Sequence, residues 1–340
     1  MLPHQNDPEA PLHLVRPGAG DCVAVDARSH ALFAQVDHLA NCDTPVLITG
    51  ETGTGKEVVA RRLFRADRQR RGRFVPVNCG ALTETLAESE LFGHRRGAFT
   101  GALTDKAGLV EEANGGVLFL DEIGDMPPPV QVRLLRFLDS GEARRVGDTL
   151  PRELRVRIVA ATNRPLERDV REGRFRADLF YRINVIGLHV PPLRERRADI
   201  PALAAHALAR AAVRLRKNLR GFSSETIACL MECPWPGNVR QLQNAVECAA
   251  FCAAGEVVAR HELPPDVAAA RPHEASLDPQ YNEDPAPQPP AAPRASDRQD
   301  DVAQIALALV RASGNQRHAA AALGISRTTL WRRLRQINGD

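Results

Sequence analysis

From Pro45 onward, short apolar runs alternate with longer stretches in which apolar residues recur about every three to four positions. PVLITG leads into KEVVARRLF, FVPVN follows, GGVLFLDE leads into VQVRLLRFLDSG, and RVRIVAATN and NVIGLHV close the series. Short β-branched or apolar runs predict buried strands, and strands that alternate with helices predict a parallel α/β sheet. After VPPLRER the strands cease. DIPALAAHALARAAVRL, SSETIACLMEC and NVRQLQNAVECAAFC all carry a helical period, which predicts a smaller all-helical subdomain. From about Pro265 to Arg298 the chain is Pro-rich and low in complexity (DPAPQPPAAPRAS); it has too little apolar surface to offset its ordering entropy and predicts a linker. Amphipathic pattern returns from Asp300 in DDVAQIALALVRASGN, QRHAAAALG and SRTTLWRRLRQ, with the turn LGIS between the last two. The expected divisions are 1–20, 21–190, 191–265, 266–298 and 299–340.

Composition narrows the class. A chain of 340 residues suits about two or three domains. No apolar run approaches the roughly 18 residues of a membrane span, and MLPHQNDPEAPLH has neither a basic nor an apolar leader region, so a cytoplasmic location without membrane contact is expected. The seven cysteines are scattered and form no CxxC pair, which agrees with a reducing compartment. Cys229 with Cys233 and Cys248 with Cys252 are spaced to share helix faces, with His261 nearby; a metal site and ordinary apolar packing are both open on that spacing. The net charge of +3 says less than its distribution: Lys occurs only at 56, 106 and 217, and the C-terminal end carries Arg311, Arg317, Arg327, Arg332, Arg333 and Arg335, which suits nucleic acid.

GETGTGKE, running Gly50, Glu51, Thr52, Gly53, Thr54, Gly55, Lys56 and Glu57, follows a strand and opens a helix. That context is the phosphate-loop pattern, in which glycines let the backbone present N–H groups to phosphate oxygens and Lys56 adds a point charge. Glu57 stands where a Ser or Thr hydroxyl would touch Mg²⁺, so the metal must rely on water and another carboxylate. GGVLFLDEI supplies one: Asp121 is the expected Mg²⁺ ligand, and Glu122 the residue that orients or deprotonates the attacking water. Asn163 ends the next strand, where it could bond a γ-phosphate or the water, or serve only as a turn residue.

Several stretches together resemble the AAA+ ATPase domain of bacterial enhancer-binding proteins, the activators of sigma-54 RNA polymerase: GETGTGKE, ELFGHRRGAFTGA, GGVLFLDEIGDMP, FRADLFYRINV and WPGNVRQLQN. The resemblance covers about Asp21 to Pro265. It implies an AAA+ P-loop NTPase, an α/β subdomain with a helical lid, working with ATP and Mg²⁺ in a ring, expected to be a hexamer. It further implies that Arg176 and Arg182 are arginine fingers reaching a neighbour's γ-phosphate, that Arg240 is the lid-borne sensor, and that Asn78 moves Glu122 between competent and withdrawn positions. Gly97, Ala98, Phe99, Thr100, Gly101 and Ala102 would top a hairpin-like insertion, with Phe99 and Thr100 touching the sigma factor. The blander alternative is a surface turn whose Phe folds into the core.

The tail resembles a Fis-type helix-turn-helix domain. Ser326 caps its third helix; Leu330 and Leu334 face inward and leave Arg327, Thr328, Thr329, Arg332 and Arg333 for double-stranded DNA, with binding that weakens steeply in salt. The residues before the ATPase are too few for a receiver or ligand sensor, so control is expected from expression level, an inhibitory protein or a paralogous partner. The expected function is a transcription activator that binds DNA upstream of promoters and couples ATP hydrolysis to remodelling of the closed sigma-54 polymerase complex. A generic AAA+ remodeller or DNA motor would have a pore loop in place of GAFTGA and no need of the tail, and a DNA-binding repressor that used its ATPase for assembly would tolerate a degenerate GAFTGA.

Overall fold

The computed structural model describes residues 23–67 and 70–269. The expected N-terminal extension, most of the linker, and the tail with Arg327, Thr328, Thr329, Arg332 and Arg333 lie outside the described residues. Asp26 opens the first helix, its carboxylate accepting from Arg28 N at 3.0 Å. In chain order there follow α1 (Ala27–His38), β1 (Val46–Thr49), α2 (Lys56–Ala66), β2 (Phe74–Asn78), α3 (Glu84–Phe92), β3 (Gly93–His94), β4 (Lys106–Ala107), α4 (Leu109–Glu112) and β5 (Val117–Asp121). Next come α5 (Pro128–Ser140), β6 (Glu142–Ala143), β7 (Arg152–Glu153), β8 (Arg157–Thr162), α6 (Leu166–Arg171), α7 (Ala177–Ile183) and β9 (Ile186–His189).

Five strands pair in the order β2-β5-β8-β1-β9, all parallel. Because side chains alternate across a strand, the sheet feeds two cores. Leu47, Leu118, Leu120, Ile158 and Ala160 pack toward α3, α5 and α7, whereas Val46, Ile48, Phe119, Val159 and Ala161 meet Leu32, Val36 and Leu63 of α1 and α2. The expected α/β sheet is therefore present, and the carboxyl ends of adjacent β1, β8 and β5 form its working edge.

The helical subdomain contains α8 (Ile200–Leu215), β10 (Gly221–Phe222), α9 (Ser224–Glu232), α10 (Asn238–Cys252), β11 (Val257–Val258) and α11 (Pro265–Ala268). Its core is built on Leu208, Leu230, Leu242 and Val246 around Trp235, which is fully buried and donates from Nε1 to Leu230 O at 2.8 Å. Two expectations need correction. Strands do not cease after VPPLRER, because Gly221–Phe222 and Val257–Val258 pair in parallel; two residues are too few to leave an alternating pattern. The packed chain also continues past 265. Prolines start a helical turn there, and Val267 is buried, its carbonyl accepting from the Cys229 thiol at 3.2 Å.

Candidate functional site: a phosphate loop held between two subdomains

The loop from Gly50 to Gly55 joins β1 to α2. Lys56 begins that helix and is largely buried, and its Nζ donates to Gly50 O at 2.8 Å and Glu51 O at 3.1 Å. Thr54 Oγ1 donates to Glu51 O at 2.8 Å and tightens the same turn. Gly53 cannot be another residue cheaply: its φ is +78°, and a Cβ there would stand 2.4 Å from Gly237 O. Burial pushes the pKa of Lys56 below the usual lysine value, the charges of Asp121 and Glu122 pull it back up, and Arg240 lowers it again. The residues that the sequence placed at one site thus lie within electrostatic reach of one another.

β5 delivers the acids. Four buried residues end in a half-buried Asp121, whose Oδ1 accepts from Glu122 N at 3.1 Å. Glu122 sits at φ +54°, a left-handed conformation that costs energy in a residue with a side chain and is commonly retained at functional sites. Asn78 ends β2 and accepts from Gly80 N at 2.8 Å. A Cβ on Gly80 would lie 3.0 Å from Glu122 Oε2 and 3.3 Å from Asn78 Oδ1, so both side chains converge on that glycine. Asn163, just past β8, donates from Nδ2 to Thr52 Oγ1 at 2.9 Å. Burial, with the charges of Asp121, Asp125 and Glu122, pushes the neighbouring Cys79 thiol up to about 12, which keeps it protonated and inert.

Glu57 points along the surface of α2 and pairs with Arg61 at 2.6 Å. Its position suits the rim of the site better than its centre. Arg176 and Arg182 are not brought to this chain's own phosphate loop: Arg176 pairs with Asp178 at 2.6 Å, and Arg182 reaches Leu138 O at 3.0 Å and Asp139 at 3.2 Å. Both are exposed.

The helical subdomain grips the loop residue by residue, which sequence reasoning missed. Arg194 donates twice to the Glu51 carboxylate, Asn238 Nδ2 donates to Glu51 Oε2 and Thr52 O, the N–H groups of Val239 and Arg240 point at Gly53 O, and Arg196 donates to Thr54 O at 2.6 Å. Arg240 thereby stands beside Gly53. A cavity of about 470 Å³, also missed, opens next to the loop between Val23, Leu32, Gly55, Leu203 and Val239. Its walls mix these apolar side chains with Arg61, Arg65, Arg196 and Arg210, a lining that suits the face of a nucleoside base and its polar edge. VPPLRER and WPGNVRQ carry the gripping residues, but nothing in their spacing shows what they touch.

Away from the loop, β3 and β4 form the base of a hairpin with GAFTGA at its top, closed by Gly97 N donating to Ala102 O at 2.8 Å. Gly97 and Gly101 have φ of +82° and +100° with open space around them, so they are required for the turn and not for packing. Phe99 is neither free nor in the core. It is 38% exposed, and its ring meets His94 edge-on at 5.0 Å; His94 in turn is bonded to Ser89 Oγ at 2.7 Å. The β6–β7 hairpin, which the sequence did not suggest, lies against this loop: Arg95 N donates to Val146 O at 3.0 Å, and a Cβ on Gly147 would meet the Ala98 Cβ at 2.8 Å.

Of the cysteines with shared spacing, Cys229 and Cys233 are buried and Cys248 and Cys252 exposed, and among the described residues no cluster of three or more His, Cys, Asp or Glu could hold a metal. Among the described residues no helix is long and apolar enough to cross a membrane.

Residues 22–189 match the sigma-54 interaction domain, 194–280 an AAA+ ATPase lid domain, and 303–336 the bacterial regulatory proteins of the Fis family. The DNA-binding transcriptional regulator NtrC of Escherichia coli is 44% identical over 317 residues, covering 90% of this chain and 68% of its own length. The chain belongs to the sigma-54-dependent activators. The transcriptional regulatory protein ZraR of Klebsiella oxytoca is 44% identical over 309 residues, and this chain spans 66% of its length. Crystalline NtrX from Brucella abortus in complex with ATP superposes with a TM-score of 0.65 at 31% identity, covering 94% of this chain and 69% of that one. The sigma-54 activator match embraces both the phosphate loop and the GAFTGA hairpin.

Proposed function

We propose that this sigma-54 activator binds and hydrolyses ATP at the Gly50–Lys56 loop and uses the GAFTGA hairpin to remodel a closed sigma-54 RNA polymerase complex, acting in the cytoplasm from DNA bound upstream by its Fis-type tail. The observation that carries this is the meeting of Lys56, Asp121, Glu122 and Asn163 at three adjacent strand ends, on the domain that also raises Phe99. The loop N–H groups and Lys56 would hold the phosphates, and Arg240 would report on them from the helical subdomain. Glu122, with Asn78 converging on the same glycine, would take up the proton of the attacking water.

The donor set fits Mg²⁺: Asp121 is a hard oxygen ligand, one of whose oxygens is occupied by Glu122 N. When bound with the phosphates, the metal would neutralise their charge. Arg176 and Arg182, directed away from this chain's own loop, suit action on a neighbouring subunit in a ring, which we take to be a hexamer, formed with itself or with a paralogue. Control in this reading comes from expression level or from a separate inhibitory or partner protein. Phe99 and Thr100 are the sigma-factor contacts, and Arg327, Thr328, Thr329, Arg332 and Arg333 the DNA contacts.

The test is transcription from a sigma-54 promoter bearing its upstream site, in a purified system with ATP, with the parent and Phe99→Ala side by side. Activation by the parent alone, with hydrolysis in both, is expected. Loss of hydrolysis together with activation would make the loop structural, and hydrolysis without activation by either protein would favour the repressor.

A further inference from the structure

A loop built to hold phosphates gains nothing from a carboxylate of its own, because its N–H groups and the following helix favour anions as ligands and not as neighbours. Glu51 nevertheless occupies its second position. Its Oε1 accepts from Arg194 Nη2 at 2.6 Å and its Oε2 from Arg194 Nη1 at 2.8 Å, a fork-to-fork ion pair, and Oε2 also accepts from Asn238 Nδ2 at 3.1 Å. These three bonds all run to the segment after β9. Asn238 strengthens the junction: it is fully buried at φ +53°, donates to Thr52 O at 3.1 Å, and accepts from Leu193 N at 2.7 Å. One side chain therefore ties the phosphate loop to both ends of the grip, the turn that bears Arg194 and the start of α10.

We propose that Glu51 and Arg194, braced by Asn238, form a latch that holds the helical subdomain on the phosphate loop and sets how long an adenine nucleotide stays bound. The inference rests on the nucleotide-binding reading of the loop. Glu51 is a positioning residue in it, acting through the subdomain, and its charge is cancelled by Arg194 so that the phosphates are not repelled. Both side chains are somewhat over two-fifths exposed, at 42% and 43%. A pair in contact with water is weak enough to open during a working cycle, and its forked geometry restores one closed arrangement each time. The base cavity is walled by Leu203 and Val239 of the same subdomain, so opening the latch would open that cavity as well.

The experiment measures release of a fluorescent N-methylanthraniloyl-ADP from the full chain by stopped flow, for the parent, Glu51→Gln, Arg194→Gln, Arg194→Lys and the double Gln variant, with thermal unfolding confirming that each is folded. The latch predicts that each single Gln variant speeds release by about tenfold and that the double variant is no faster than the faster single, because residues acting as one unit are not additive. Arg194→Lys should recover part of the slow release, since it keeps the charge and loses the fork. The effect should appear in KM for ATP more than in kcat. Opposite signs for Glu51→Gln and Arg194→Gln would show that both charges act directly on the phosphates and overturn the latch, as would additive effects or release at the parental rate. Failure of the underlying reading looks different: the parent would then bind no nucleotide, or Lys56→Ala would bind and release it as the parent does.

Discussion

Gly53 shows how a single position joins catalysis to packing. The loop needs its left-handed backbone, and the helical subdomain needs its missing side chain, because Gly237 O approaches to 2.4 Å of where a Cβ would stand. Gly53→Ala should therefore cost about 1–2 kcal/mol in backbone strain alone, with added cost as Gly237 is pushed away from the loop. Thermal unfolding should show the loss, and the KM for ATP should rise with it; an unchanged melting temperature would mean that the two subdomains do not close on this glycine. Glu51 gives a pH dependence at the same scale. The Arg194 hydrogen bonds, then that from Asn238, hold its carboxyl below the usual glutamate value against the opposing effect of burial. A depressed carboxylate contributes stability above its unfolded pKa and loses it as pH falls through the native one, so the difference in melting temperature between parent and Glu51→Gln should stay flat from about pH 6 to 8 and close below about pH 4. A difference that changed across neutrality would point to another titrating group.

Among elements, the coupled pair is the GAFTGA hairpin and the shorter β6–β7 hairpin beside it. Arg95 lies at their junction: its guanidinium pairs with Asp105 at 2.6 Å and approaches Asp148 at 3.9 Å, while its backbone N–H bonds Val146 O. Arg95→Gln removes the charge shared by Asp105 and Asp148, leaving Asp148 to Arg152 at 3.4 Å, and leaves the phosphate site untouched. We expect ATP turnover within about twofold of the parent and a drop in activation of several-fold, since surface pairs of this kind are individually weak but here fix the relative position of two tips. Turnover that fell in step with activation would mean that the hairpins support the ATPase core. The two hairpins also mark how far the elements were legible. Buried strands announced themselves as β-branched runs, and the phosphate loop announced itself by its place between a strand and a helix. Two-residue strands such as Glu142–Ala143 or Gly221–Phe222 leave no period to detect. The grip on the loop was hidden for a different reason: Arg194 and Asn238 stand 143 and 187 residues from Glu51, and nothing local to any of the three indicates that they meet. Val267 was lost in a stretch whose prolines read as a linker, although prolines also start helices.

At the scale of the whole molecule, the decisive fact is where Arg176 and Arg182 point. Arg176 immediately precedes α7 with its guanidinium on Asp178, Arg182 lies in the last turn of that helix against Asp139, and about half of each side chain is in solvent, 47% and 49%. Lys56, Asp121 and Glu122 are gathered without either of them, so one chain carries a phosphate site and, on a different surface, the cations that could complete another chain's site. Charge developing on a transferring phosphoryl group is commonly met by such an arginine from a neighbour. Two inactive proteins, Arg176→Ala and Glu122→Gln, should then complement each other when mixed. In a ring assembled at random from equal amounts, an active interface needs the Arg176→Ala chain to supply Glu122 and the adjoining Glu122→Gln chain to supply Arg176, which occurs at about one interface in four. Turnover should approach that fraction of the parental rate and follow the product of the two fractions as the mixing ratio is varied. Each protein alone should stay inactive at every concentration. A mixture no more active than its components, with assembly verified by sedimentation, would place the whole of hydrolysis within one chain and leave the exposed arginines to a different task.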